Sequence, residues 1–330
     1  MARNTLRGDY RDIIGDSPQM FEVLQQIERC AATLTRVLIS GETGTGKGMV
    51  ARALHQNSNR LGELVSVNCA ALQETLLESE LFGHEKGAFT SADARHIGRF
   101  ERAHNGTLFL DEIAEMPLSM QSKLLHAVEE SEIERVGGEK PIPIDVRIVT
   151  ATNKDLEQAI RDGRFREDLY YRLNVASISL PTLTARREDM EALVLHFLEK
   201  HLRVDASEIP QVAPSTLVLL KSYPWPGNVR ELENVIESAS HFVKGQMLLP
   251  EHLPDHLLHI SEKPSTSKDD RSLTVPLNMT LEEVEETFIR KVLASLDGNR
   301  SQAAKNLGIG RSTLQRKLKK YEIYLDDLGF

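Results

Sequence analysis

The chain has 330 residues, of which 40% are hydrophobic and 27% charged, with a formal net charge of −9. That composition excludes a disordered or fibrous chain, and the length calls for two or three domains rather than one. No apolar run approaches a membrane span and none follows the basic residues of the amino end, so a cytoplasmic protein is expected, with Cys30 and Cys69 as small buried apolar residues.

In chain order, the first predicted strand is the β-branched run Val37-Leu38-Ile39-Ser40. Gly41-Glu42-Thr43-Gly44-Thr45-Gly46-Lys47 follows it and opens a predicted helix that runs to about Arg60. The glycines free backbone amides to turn toward a phosphate, the helix N-terminus adds positive potential, and Lys47 supplies a point charge for the terminal phosphates. A plain glycine turn is the competing reading. Gly48 stands where the usual pattern has a Ser or Thr that holds magnesium, so the metal must be held elsewhere.

Leu64-Val65-Ser66-Val67 is the second predicted strand, and Thr107-Leu108-Phe109-Leu110 the third. The third ends in Asp111-Glu112, which puts Asp111 at the carboxyl edge of the sheet. There it can hold Mg2+ through water while Glu112 polarises an attacking water; an acidic helix cap is the bland alternative. Ser119 to Glu130 predicts a helix with Leu124, Leu125 and Val128 on one face, and the runs 145–151 and 177–180 complete five strands. Strands alternating with amphipathic stretches predict an α/β unit around a parallel sheet.

Beyond Pro181 only helical periodicities remain, to about Lys244, which predicts a small all-helical subdomain. Residues 261–280 are rich in Ser, Thr, Lys, Asp and Pro and read as a linker. Three helical stretches follow, Leu281–Leu296, Ser301–Leu307 and Arg311–Lys320. The global charge argues against a nucleic-acid binder, but its distribution does not. From Asn299 to Lys320 there is no acidic residue, while Arg300, Lys305, Arg311, Arg316, Lys317, Lys319 and Lys320 are basic. A solvated face is the alternative for such a run. Here the run coincides with a helix, a Gly-containing turn and a second helix. Ala303, Ala304 and Leu307 are predicted to pack against Ile309, Leu314 and Leu318. That leaves Arg311, Ser312, Thr313, Gln315 and Arg316, with Arg300, free to meet base edges and phosphates.

The phosphate loop and the acidic strand end resemble those of AAA+ ATPases. Further segments narrow the resemblance to the NtrC-type bacterial enhancer-binding proteins, the activators of sigma-54 polymerase. They are Val67-Asn68-Cys69-Ala70-Ala71-Leu72, the stretch from Glu80-Leu81-Phe82-Gly83-His84-Glu85-Lys86 to Gly87-Ala88-Phe89-Thr90, and Gly98-Arg99-Phe100-Glu101-Arg102-Ala103. Ala151-Thr152-Asn153, the run from Phe165-Arg166 to Arg172-Leu173, and Trp225-Pro226-Gly227-Asn228-Val229-Arg230-Glu231-Leu232 complete the set, in the family's order from about Ile13 onward. The carboxyl end is similar to the Fis-type helix-turn-helix of the same family.

The resemblance implies an AAA+ α/β core over residues 12–180, a helical lid over 181–258, a linker over 259–280 and a DNA-binding domain over 281–330. It implies ATP and Mg2+ as cofactors, with Gly41 to Gly48 around the phosphates. Asn68 is then the polar partner that holds Glu112 back, and Thr152 and Asn153 are the sensor of the γ-phosphate. Arg166 and Arg172 take the place of arginine fingers reaching a neighbouring subunit, surface ion pairing being the bland reading for both. Arg230 is the second sensor, while Trp225 is core packing. Gly87-Ala88-Phe89-Thr90-Ser91-Ala92 matches the loop that contacts sigma-54, departing at Ser91 where the family has Gly and its freedom at positive φ.

The implied partners are sigma-54 RNA polymerase holoenzyme, upstream enhancer DNA, and copies of the chain itself in a ring, most simply a hexamer. Leu281–Leu296 is the natural dimerising helix of the DNA-binding domain. About a dozen residues before Ile13 are too few for a receiver domain, which leaves three readings open: control by a separate regulatory protein, control by the protein's own abundance, or a sequence that is a piece of a longer chain. Two other readings stand beside the activator: an AAA+ motor with a different client, and a nucleotide-gated DNA-binding repressor.

Overall fold

The computed structural model describes residues 6–89, 92–202, 209–243, 247–258, 280–294, 296, 299–321 and 323. Two units divide between Glu262 and Lys263. The first carries, in chain order, α1 (Pro18–Ala31), β1 (Val37–Ser40), α2 (Lys47–Gln56), β2 (Leu64–Asn68), α3 (Glu74–Phe82), α4 (Arg99–Arg102) and β3 (Thr107–Asp111). Then come α5 (Leu118–Glu130), the two-residue strands β4 (Glu132–Ile133) and β5 (Ile142–Pro143), β6 (Arg147–Thr152), α6 (Leu156–Arg161), α7 (Glu167–Leu173) and β7 (Ala176–Ser179).

The five longer strands form one parallel sheet in the order β2-β3-β6-β1-β7. The inner strands β1, β3 and β6 are buried along most of their length between helices on both faces, whereas the edge strands β2 and β7 carry exposed serines. Successive side chains of β3 feed different layers: Leu108 and Leu110 pack with Leu77, Leu124 and Leu169 of α3, α5 and α7, whereas Phe109 packs with α1 and α2 through residues such as Leu24 and Leu54. The five strands predicted from the sequence are these five, each within a residue or two of its observed ends.

One charge sits inside this layered core. Arg147 opens β6 and is almost fully buried, with Nη2 donating to the Cys30 carbonyl at 2.6 Å and Nη1 to those of Ala31 and Leu54 at 3.5 Å. These carbonyls end α1 and the last turn of α2, so the guanidinium meets the negative ends of two helix dipoles. Burial lowers its pKa. Cys69 is buried as expected, but Cys30, at the end of α1, is only half-buried.

Helices α8 (Met190–Leu202), α9 (Pro214–Ser222), α10 (Asn228–Ser240) and α11 (Asp255–Leu258) form the remainder of the first unit. Their core includes Leu193, Phe197, Leu232 and Trp225, whose Nε1 donates to the Leu220 carbonyl at 2.7 Å. Trp225 is thus core packing. The subdomain is not purely helical: β8 (Gln211–Val212) pairs in parallel with β9 (Met247–Leu248), a match too short to leave an alternating pattern in the sequence.

The second unit holds α12 (Leu281–Ala294), α13 (Arg300–Asn306) and α14 (Arg311–Lys320). Thr280 and Glu283 form a reciprocal cap at the start of α12, and Asn299 caps α13. Ile289 and Leu293 pack on Ala303, Ala304, Leu314 and Leu318, with Leu307 and Ile309 at the edge. The stretch expected to be a linker, 259–280, lies outside the described residues apart from Thr280. No helix among the described residues is long and apolar enough to cross a membrane.

Candidate functional site

A cleft of about 510 Å³ opens at the carboxyl ends of the strands. Strand order places it there: β1 lies between β6 and β7, and the loop leaving β1 turns over the sheet edge beside Thr152, whose carbonyl accepts from the Gly41 amide at 3.2 Å. Gly46 takes a left-handed conformation as N-cap of α2. Lys47 is buried at the first position of that helix, its Nζ donating to the carbonyls of Gly41 at 2.9 Å and Glu42 at 3.2 Å. Asn153, one residue past β6, donates from Nδ2 to Thr43 Oγ1 at 2.9 Å, so the expected sensor pair stands against the loop. Thr152 itself is buried, its hydroxyl accepting from the Lys154 amide at 3.0 Å.

Asp111 ends β3, with Oδ1 accepting from the Glu112 amide at 3.0 Å. Glu112 is left-handed, at φ 52°, which swings its side chain toward Lys47: Oε1 lies 3.9 Å from Nζ, and Oε2 is buried with no hydrogen-bond partner. A buried carboxylate oxygen left without a donor is costly, and it faces the place where phosphates and their metal would sit. Two carboxylates beside a phosphate loop suit Mg2+, which binds through one or two carboxylates, water and phosphate oxygens.

Asn68 behaves differently from expectation. Its Oδ1 accepts from the Ala70 amide at 2.8 Å, and it neighbours Asp111 in the β2–β3 register rather than bonding Glu112. A local turn has captured the amide, as Asn side chains readily do. Arg166 and Arg172 are exposed on and beside α7, and neither lines the cleft. Arg166 pairs with Asp168 at 2.7 Å and Arg172 with Glu129 at 2.7 Å. Gln121, fully buried, accepts from the Arg166 amide and donates to the Met116 and Arg164 carbonyls, which fixes the backbone from which Arg166 projects.

The helical subdomain closes the cleft partly through residues without an expected role. Asn228, at φ 51°, donates to Glu42 Oε2 at 3.0 Å and the Thr43 carbonyl at 3.1 Å, while its Oδ1 accepts from the Leu183 amide at 2.8 Å. The amides of Val229 and Arg230 both donate to the Gly44 carbonyl. Arg230 lines the cleft, as its expected sensing role requires. Arg186 also lines it and is nearly fully buried. A smaller cavity, about 240 Å³, lies at the opposite strand ends beside Leu34, Arg36, Val146 and Val175 and shares no residue with the phosphate loop.

Within the expected sigma-54 loop, Phe89 is 41% exposed, outside every core cluster, its ring edge-on to His84 with centroids 4.8 Å apart. Ala92 differs from expectation: it is buried, and its amide donates to the Phe89 carbonyl, so it anchors the loop instead of presenting a surface. Thr90 and Ser91 lie outside the described residues. The base of the loop is clamped where the Glu85 amide meets the Val136 carbonyl and Arg135 binds Glu85 at 2.6 Å and Glu101 at 2.5 Å. In the second unit Arg300, Arg311, Ser312, Gln315 and Arg316 are exposed and Thr313 is half-buried. Lys317 and Lys320 of the same basic run instead pair with Glu285 and Glu282 of α12.

Residues 13–179 match the sigma-54 interaction domain, 184–270 the AAA+ ATPase lid domain, and 280–321 the bacterial regulatory protein, Fis family. The chain is 46% identical over 316 residues to the regulatory protein AtoC of Escherichia coli strain K12, covering 94% of this chain and 68% of the relative. It is 43% identical to the DNA-binding transcriptional regulator NtrC of the same strain, covering 96% and 71%. Among solved structures it resembles NtrX from Brucella abortus in complex with ADP, at a TM-score of 0.70 and 35% identity over 94% of this chain and 70% of that one. The same protein in complex with ATP gives a TM-score of 0.68 at 35% identity, over 97% and 71%.

Proposed function

Because this chain belongs to the family of sigma-54-dependent regulators, joining a sigma-54 interaction domain to an AAA+ lid and a Fis-type helix-turn-helix, we propose that it hydrolyses ATP to remodel sigma-54 RNA polymerase holoenzyme, from enhancer DNA upstream of its promoters, until the open complex forms. The observation that carries the reading is the pairing of two features in one α/β unit: a cleft lined by Lys47, Asp111, Glu112 and Arg230, and an exposed Phe89 on a loop whose base is held rigid. We assign residues 12–180 to the ATPase core, 181–258 to the lid, 259–280 to a linker and 281–330 to the DNA-binding domain.

In this reading the loop amides and Lys47 hold the β- and γ-phosphates. Mg2+ would neutralise the phosphate oxygens, held through water by Asp111. Glu112, its free oxygen buried beside Lys47, takes the proton as water attacks the γ-phosphorus, and ADP leaves with the bridging oxygen. Asn153 reads the presence of the γ-phosphate at Thr43, and Arg230 carries the nucleotide state to α10. To restrain Glu112, Asn68 must first release the Ala70 amide. Arg166 and Arg172 exchange Asp168 and Glu129 for the phosphates of a neighbouring copy, in a ring we take to be a hexamer in the cytoplasm. Arg300, Arg311, Ser312, Thr313, Gln315 and Arg316 meet the DNA, on which the second unit sits as a dimer.

Purified sigma-54 holoenzyme on a promoter with an upstream site tests this. Open complexes should form with the protein and ATP, and not with Lys47→Ala or with holoenzyme carrying another sigma factor. Rapid hydrolysis without open complexes would point to a different client, and DNA binding without hydrolysis to a repressor.

A further inference from the structure

Among the described residues of the first unit two arginines are almost fully buried; both leave Nε without an acceptor, and their other donors are met differently. Arg147 rests on three carbonyls at the ends of two helices. Arg186 is only 4% exposed, yet it makes one hydrogen bond, from Nη2 to the Thr45 carbonyl at 3.2 Å, and its Nε is buried with no acceptor. The carboxylate that acts on it, that of Asp189, is already committed. Asp189 accepts from the amides of Asp16 and Ser17, at 2.8 Å each, and from the Ser17 hydroxyl at 2.6 Å. It favours the arginine's charge through space, while burial opposes that charge more strongly. A buried cation without a paired anion is among the least favourable groups a protein can hold.

The chain distorts itself to keep that group in place. Arg186 breaks the helical turns of Leu183–Asp189, at φ −124° and ψ 44°, just before α8 begins. Its side chain thereby turns from the helical subdomain toward the phosphate loop and lines the cleft beside Thr45, Gly46 and Lys47. A guanidinium is suited to phosphate because its planar fork offers several donors and it is weakly hydrated.

We infer that Arg186 is a phosphate-binding residue of this cleft, whose guanidinium takes the diphosphate common to ADP and ATP from the lid side while Lys47 holds the phosphates from the α/β side. The inference rests on the nucleotide reading of the cleft. It divides labour between two arginines of the lid: Arg230 responds to which nucleotide is present, and Arg186 responds to any nucleotide. Bound phosphates supply the anion that the fold itself withholds, so nucleotide binding draws lid and loop together.

The test uses the full-length chain as wild type, Arg186→Met and Arg186→Lys. Calorimetric titration gives the affinities for ADP and ATP, and thermal denaturation gives the stability of the nucleotide-free protein. Arg186→Met should weaken ADP and ATP by the same factor, about 10- to 100-fold, the worth of one charge-assisted hydrogen bond. Its nucleotide-free Tm should hold or rise, since an uncompensated charge has gone. Arg186→Lys should recover part of the affinity. If Arg186→Met binds ADP as tightly as Arg186→Lys, charge is irrelevant and the inference falls. It also falls if Met loses nucleotide-free stability in step with affinity and Lys restores neither. If the wild type binds neither nucleotide, the reading of the cleft itself fails, which is a distinguishable result.

Discussion

Gly44 shows how tightly the phosphate loop is pressed against the lid. Its φ is +80°, and a Cβ there would stand 2.1 Å from the Gly227 carbonyl oxygen. Any other residue meets both the left-handed penalty, about 1–2 kcal/mol, and a backbone clash that no rotamer relieves. Gly44→Ala should therefore weaken ADP binding by at least about tenfold while the far-UV circular dichroism stays native. Unchanged affinity would show that the docking of α10 on the loop is dispensable. Gly48 is the opposite case. A Cβ placed there meets only Phe109 Cε1, at 4.0 Å. Space does not exclude the hydroxyl that phosphate loops usually carry at this position, and in the proposed reading its absence would leave Asp111 to hold the metal.

At the level of elements, the loop from Glu85 to Ala92 separates rigidity from exposure. Arg135 and the Val136 backbone hold its base, Ala92 is buried, and Phe89 remains in the open against His84. Truncating Phe89 should remove one aromatic contact, about 1 kcal/mol, against the 3–5 kcal/mol lost from a packed core phenylalanine. Phe89→Ala should thus keep its ATPase rate and lose sigma-54 binding; a joint fall in stability, hydrolysis and binding on one preparation would place Phe89 in the core instead. In the second unit, Glu285 of α12 accepts from Lys317 and from Tyr321, and these bonds hold its carboxyl below the ordinary glutamate range. A lowered carboxylate pKa adds stability above the unfolded value and loses it as pH falls through the folded value. Amide protection factors in α12 and α14, taken relative to the intrinsic exchange rate at each pH, should therefore fall on acidification below the ordinary glutamate pKa, and Glu285→Gln should show the lower protection already at neutral pH. The sheet, the phosphate loop and the helix-turn-helix were legible because each is a contiguous run with its own period or spacing. Asn228 and Arg186 were not, since their partners Glu42 and Thr45 lie 186 and 141 residues away and only the folded lid brings them together. The turn that occupies the Asn68 side chain was not legible either, since it depends on the backbone geometry beyond β2.

Over the whole molecule, the two candidate fingers stand outside the cleft of their own chain and are held by exposed ion pairs worth little to the fold. Arg172→Ala should consequently leave the chain folded and cut turnover about a thousandfold. Mixing it with Lys47→Ala should restore part of the rate, because some interfaces then combine an intact loop with an intact finger; no recovery in assembled mixed rings would argue against donation between copies. The protein also answers acid and salt with different parts. A deeply buried charge of the first unit, Arg147, leans on peptide carbonyls, which take up no proton in the working range and are shut away from ions in solution. Its support can be neither titrated nor screened. The contacts proposed from Arg311 and Arg316 to a phosphate backbone would have neither protection, because every such contact competes with the counter-ions it displaced. In the proposed reading, a rise in ionic strength should therefore lift the regulator off its DNA before it loosens the core of the first unit, and what diffuses away should be a folded protein ready to bind again.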